Sequence, residues 1–85
     1  MTEEKTYRIE KYCDGEYHHI DITCSLEEAV AQFCSMIQDG IDLFELSQIK
    51  YPVPKEQKVA KILLKTGKFS SENYPCIGQY DIMEK

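Results

Sequence analysis

Two periodicities divide this chain. From Thr6 to Cys24, apolar and polar residues alternate about Asp14-Gly15, the residue pair of a two-residue type I′ turn. A hairpin closed there sets Cys13 opposite Glu16, and all other pairs follow, because partner numbers must sum to 29. One face then receives Tyr7 with Ile22, Ile9 with Ile20, and Lys11 with His18. The other receives Thr6 with Thr23, Arg8 with Asp21, Glu10 with His19, and Tyr12 with Tyr17. Each of these is a favoured cross-strand combination, worth about 0.2–1 kcal/mol. A slip by one residue turns both isoleucines outward and loses the pairs, so the register is strongly specified.

The period then changes to that of a helix. Leu26, Val30, Phe33 and Ile37 recur at steps of four, three and four, one apolar stripe at helical pitch. Glu27, Glu28, Ala31, Gln32, Ser35, Gln38 and Asp39 take the other side. Ser25 with Glu28 is a capping box that starts the helix. Gly40 stands where a left-handed residue would end it, with Ile41 folding back onto Met36. A helix over 25–39 is predicted, covering Tyr7, Ile9, Ile20 and Ile22.

Residues 43–51 read as a third strand beside the hairpin, although Asp42-Leu-Phe-Glu45 also fits the capping of a short helix. Pro52 and Pro54 end that segment, and Pro54 is suited to opening a second helix over 54–66. In it Val59, Ile62 and Leu63 share one side, and Lys58, Lys61 and Lys65 the opposite one, before a stop at Gly67. Residues 69–85 are expected to begin as a loop. Ile77 to Met83 reads as a short edge strand with Tyr80 and Ile82 on one face. The predicted fold is α+β: one two-layer ββαβ(α) domain over residues 1–85, with 1–5 as a tail.

Composition changes this picture little. With 42% hydrophobic and 29% charged residues, the chain is an ordinary globule that buries roughly 60–65% of its unfolded surface. The start MTEEKTYR has no apolar run and nothing approaches a membrane span, so a cytoplasmic protein without a signal peptide is expected. Cys13, Cys24, Cys34 and Cys76 form no C-x-x-C pattern. Two disulfides in three connectivities are formally open, but reduced thiols suit a chain without a secretory signal.

Charge is sharply divided within the net −5. Between Lys11 and Lys50 there is no lysine or arginine, yet Asp14, Glu16, Asp21, Glu27, Glu28, Asp39, Asp42 and Glu45 lie there. From Lys50 to Lys68 the balance reverses, with six lysines against Glu56 alone. A carboxylate surface built from Asp14, Glu16, Glu27, Glu28, Asp39, Asp42 and Glu45 repels nucleic acid and attracts basic clefts. A solvated helix face is the plainer account of both charge groups.

Catalytic chemistry finds little support. His18 and His19 are neighbours on a strand and point to opposite faces, so they do not share a metal. Cys34 sits beside the core stripe, a poor place for a nucleophile. The four glycines are isolated, so no phosphate loop is present. No catalytic residue, metal or cofactor is expected.

The hairpin YRIEKYCDGEYHHIDI, the capped SLEEAV helix and the following LFELSQI segment together resemble the small ββαβ proteins encoded by phages and mobile elements, anti-CRISPR proteins among them. The likeness spans about residues 6–51. It implies docking on a CRISPR effector in the host cytoplasm and blockage of its nucleic-acid channel, with carboxylates standing in for phosphates. The lysine-rich second helix departs from a uniformly acidic mimic. The expectation is thus a non-catalytic inhibitor or adaptor, docking an acidic surface with Tyr12, Tyr17 and His19 as aromatic anchors. Two alternatives stay open: a nucleic-acid-binding module using Lys58, Lys61, Lys65 and Lys68, and a homodimeric regulator pairing acidic surface with lysine helix.

Overall fold

The computed structural model describes residues 4–13, 15–43, 53–74 and 77–85. Strands β1 (Lys5–Cys13) and β2 (Glu16–Cys24) form the hairpin. Helices α1 (Leu26–Leu43) and α2 (Glu56–Thr66) follow, then strands β3 (Lys68–Ser70) and β4 (Gln79–Glu84). The sheet is antiparallel, in the order β2-β1-β4-β3, and both helices pack on one of its faces. This is the expected α+β two-layer domain.

The hairpin register is the predicted one, from Lys5 opposite Cys24 to Cys13 opposite Glu16. Gly15 takes φ 80°, the left-handed conformation a type I′ turn demands. Along β1, Tyr7 and Ile9 enter the core beneath Val30, Phe33, Ile37 and Ile41 of α1. Ser25 caps α1 by accepting the Glu28 N–H at 3.3 Å. The glutamate carboxylate returns by accepting the serine hydroxyl at 3.2 Å.

Three expectations are corrected. First, α1 does not stop at Gly40 but runs to Leu43, with Ile41 buried inside it. Gly40 is a packing residue: a Cβ there would stand 3.1 Å from Ile77 Cδ1 and 3.2 Å from the Tyr80 hydroxyl. Its lack of a side chain lets the start of β4 approach the helix. Second, β4 is an inner strand, paired with β1 on one side and β3 on the other. Of the strand expected over 43–51, Leu43 is helical, and 44–51 lie outside the described residues. Third, Ile20 is not covered and remains 42% exposed, while Ile22 is only half-buried. Seating β4 against β1 draws the core toward Tyr80 and Ile82 and away from β2.

Helix α2 begins two residues after Pro54, which precedes the N-terminal residue Lys55. The Pro54 carbonyl accepts the Cys34 thiol at 3.3 Å and ties this start to α1. Gly67, at φ 81°, ends the helix and donates its N–H to Leu63 C=O at 2.8 Å. Val59 and Leu63 complete the core with Ile77, and Phe69 of β3 meets Phe33 edge-on at 5.9 Å. Among the described residues, no helix is long and apolar enough to cross a membrane.

Candidate functional site

Alternation along the strands gives the sheet a second face, which no described element covers. Arg8, Glu10 and Tyr12 of β1 share it with Tyr17, His19 and Asp21 of β2 and with Gln79 and Asp81 of β4. Glu10 lies at its centre, only 8% exposed, because the tyrosines lean over it. The Tyr12 hydroxyl donates to Glu10 Oε1 at 3.2 Å, and the Tyr17 hydroxyl donates to Oε2. The two rings lie 5.0 Å apart, and His19 stacks on Tyr17 at 5.5 Å. The bond to Glu10 raises the Tyr17 pKa above its ordinary value, whereas for Tyr12 burial is the larger cause and the Glu10 charge the second.

Opposite Glu10 in the ladder stands Asp81, 4% exposed. It accepts Gln79 Nε2 at 3.2 Å and faces Lys68 Nζ at 3.7 Å. Asp21 closes the row below, gripped by Arg8 Nε at 2.8 Å and by Lys85 Nζ at 2.8 Å. Hydrogen bonds from these two cations hold its carboxyl well below the usual range. The expected pair Arg8–Asp21 is therefore present, as is Thr6–Thr23 at 3.0 Å. Glu10 and His19 are ladder partners, but the Glu10 carboxylate is taken by phenols instead.

The predicted acidic surface lies on the helix layer. Glu27, Glu28, Asp39 and Asp42 are all exposed, and at 100° per residue they fall within an arc of about 120°. Glu27 and Asp42 are separated by about 22 Å of helix. Asp42 accepts Gln38 Nε2 at 2.9 Å, and Glu28 is held by Ser25. Among the described residues no lysine or arginine pairs with these four carboxylates. Glu16, at the hairpin tip, meets His18 Nε2 at 3.4 Å. Asp14 and Glu45 lie outside the described residues.

One carboxylate escaped the sequence reading. Glu56, counted there as the lone acid of a basic segment, faces Glu27 across a groove floored by Val30 and Ala60. The α1-facing side of α2 is thus Glu56, Gln57 and Ala60. Lys58, Lys61 and Lys65 are exposed on the flank turned from α1. Lys68 leaves this stripe altogether, since in β3 it reaches the open sheet face beside Asp81.

The sheet separates Tyr12, Tyr17 and His19 from the α1 carboxylates, so acidic flank and aromatic anchors form two surfaces, back to back, and do not act on one contact together. The Glu10–Asp81 pairing was missed because Asp81 is visible only once β4 is seated next to β1. A signal for Glu10 existed: it shares its face with Tyr12 on its own strand and with Tyr17 diagonally across the hairpin. Among the described residues no three His, Cys, Asp or Glu side chains gather as a metal site. Burial pushes the Cys34 thiol up to about 11, leaving it protonated at neutral pH.

No family model, curated protein or solved structure matches this chain.

Proposed function

We propose that this chain is a non-catalytic inhibitor or adaptor that sets the outer flank of α1 against a basic cleft on a larger protein. The observation that carries this reading is the separation of charge. Glu27, Glu28, Asp39 and Asp42 face solvent without a cationic partner in the described chain, while the α2 lysines point away from them. Such an array speeds encounter with a positive surface and selects against negative ones. A cleft that ordinarily holds nucleic acid is the basic cleft best matched to spaced carboxylates, and a cytoplasmic nucleic-acid enzyme of the CRISPR-effector kind is the partner that the sequence resemblance implies.

The test is binding of the purified chain to such an enzyme, competed by that enzyme's own nucleic acid and measured against salt. Affinity is expected to fall as ionic strength rises and to collapse in the Glu27→Lys, Glu28→Lys double variant. Affinity indifferent to both rules out docking by charge.

A second reading is favoured by one observation: Lys58, Lys61 and Lys65 are exposed and make no ion pair within the described chain. A nucleic-acid-binding module would use them as phosphate contacts. Retention on heparin near neutral pH, lost on Lys58→Glu, supports that reading; flow-through supports the first.

A further inference from the structure

We propose that β2 is the contact through which two copies of this chain join, edge to edge, so that two four-stranded sheets become one. This contact is independent of the acidic flank of α1 and is made by the main chain. Lys85 N–H donates to Thr6 C=O at 2.9 Å, so even-numbered residues of β1 turn their backbone groups toward β4 and odd-numbered ones toward β2. Their partners in β2, from Glu16 to Cys24 in even steps, are thereby engaged. Tyr17, His19, Asp21 and Thr23 turn N–H and C=O outward, where no described strand meets them.

The two edges of the sheet are built differently. Edge strands are normally blunted by shortness, lysine, proline or a bulge. The β3 edge is three residues long and carries Lys68. The β2 edge has nine residues, contains neither lysine nor proline, and keeps an unbroken register with β1. Its side chains from Glu16 to Asp21 are all exposed, Ile20 among them.

The occupant is a second copy because the strand is complementary to itself. A two-fold axis through Ile20 matches outward backbone groups with outward backbone groups. It sets His19 opposite Asp21 of the second copy and Tyr17 opposite its Thr23, each pair occurring twice. On the helix side of the sheet the two Ile20 side chains meet and bury each other. Moving the axis to Asp21 would oppose two carboxylates, and moving it to His18 would set Ile20 against Glu16. Of these three registers, the Ile20 one alone satisfies charge, shape and hydrogen bonding together.

Sedimentation equilibrium of the full chain over a dilution series tests this, alongside His19→Pro and Ile20→Lys. Proline at position 19 removes an outward N–H and no hydrogen bond of the hairpin. The native chain is expected to approach twice its 9.9 kDa at the concentrated end. Both variants should stay monomeric with unchanged circular dichroism. An Ile20→Cys chain should form a disulfide-linked dimer on mild oxidation that the native chain, with its half-exposed Cys13 thiol, does not form, which reads out the register without relying on either disruptive variant. A native chain monomeric throughout overturns the proposal, as does a dimer that survives both variants or one that dissolves in salt alone.

Discussion

The two faces of the sheet are made by the same strands, and each hides side chains by a different route. On the helix-covered face, Tyr7, Ile9, Tyr80 and Ile82 are buried because α1 and α2 exclude water. On the open face, Glu10 and Asp81 are almost as inaccessible, yet no layer of the described residues lies over them. They are enclosed by neighbours on their own sheet: two phenols over Glu10, an amide and a lysine beside Asp81. The first face is held by the hydrophobic effect and tolerates little change of volume. The second is held by satisfied polar groups, whose net worth is small because water competes for each. Low exposure alone therefore does not mark the core.

That contrast can be broken from either side. The largest effect is expected from Ile82→Ala, which opens a cavity under both helices and should cost about 2–5 kcal/mol in urea unfolding. Gly40→Val comes next: its side chain would press on Ile77 and Tyr80, for an expected loss of about 1–3 kcal/mol in the same measurement. On the open face, Glu10→Ala should cost only about 1 kcal/mol, since the released hydroxyls turn to water.

Protonation sharpens the comparison further. Tyr17 has its pKa raised in the folded state, so its contribution is complete below the ordinary phenol value of 10.0 and is lost as pH climbs through the higher folded value. Glu10→Gln should therefore bring forward the alkaline tyrosinate titration seen by absorbance. Asp21 behaves oppositely. Its folded pKa is depressed, so its contribution is present above the ordinary value of 3.8 and is lost as pH falls toward the folded one. Asp21→Asn should flatten the acid limb of stability against pH in that window. The smallest effect belongs to Asp39→Lys, expected within about 0.5 kcal/mol of native stability because this side chain stands in water, away from the Ser25–Glu28 cap.

The hairpin was legible down to its register because Asp14-Gly15 fixes the turn and the period of two then determines every partner. Helix α1 was equally legible at its start, where Ser25 and Glu28 carry the cap. Its end was not, since a glycine inside a helix and a glycine ending one look alike; only the approach of Ile77 and Tyr80 tells them apart. Strand β4 was underrated for a related reason. Two apolar residues in alternation suit an edge, and what makes the strand inner is backbone pairing on both sides, which composition does not encode. The candidate site shared this limit. Charge segregation and the placement of Tyr12 and Tyr17 behind the sheet could be read from the order of residues, but which face α2 covers, and the position of Glu56 opposite Glu27, needed the packing of α2.

The outward flank of α1 is the surface proposed to meet a positively charged partner. Amide chemical-shift mapping with a short lysine-rich peptide, repeated with a single-stranded oligonucleotide, tests it most directly. Perturbations gathering at Glu27, Glu28, Asp39 and Asp42 with the peptide, fading as salt rises, are the predicted result. Peptide-induced shifts absent from α1, with oligonucleotide-induced shifts at Lys58, Lys61 and Lys65, would contradict it.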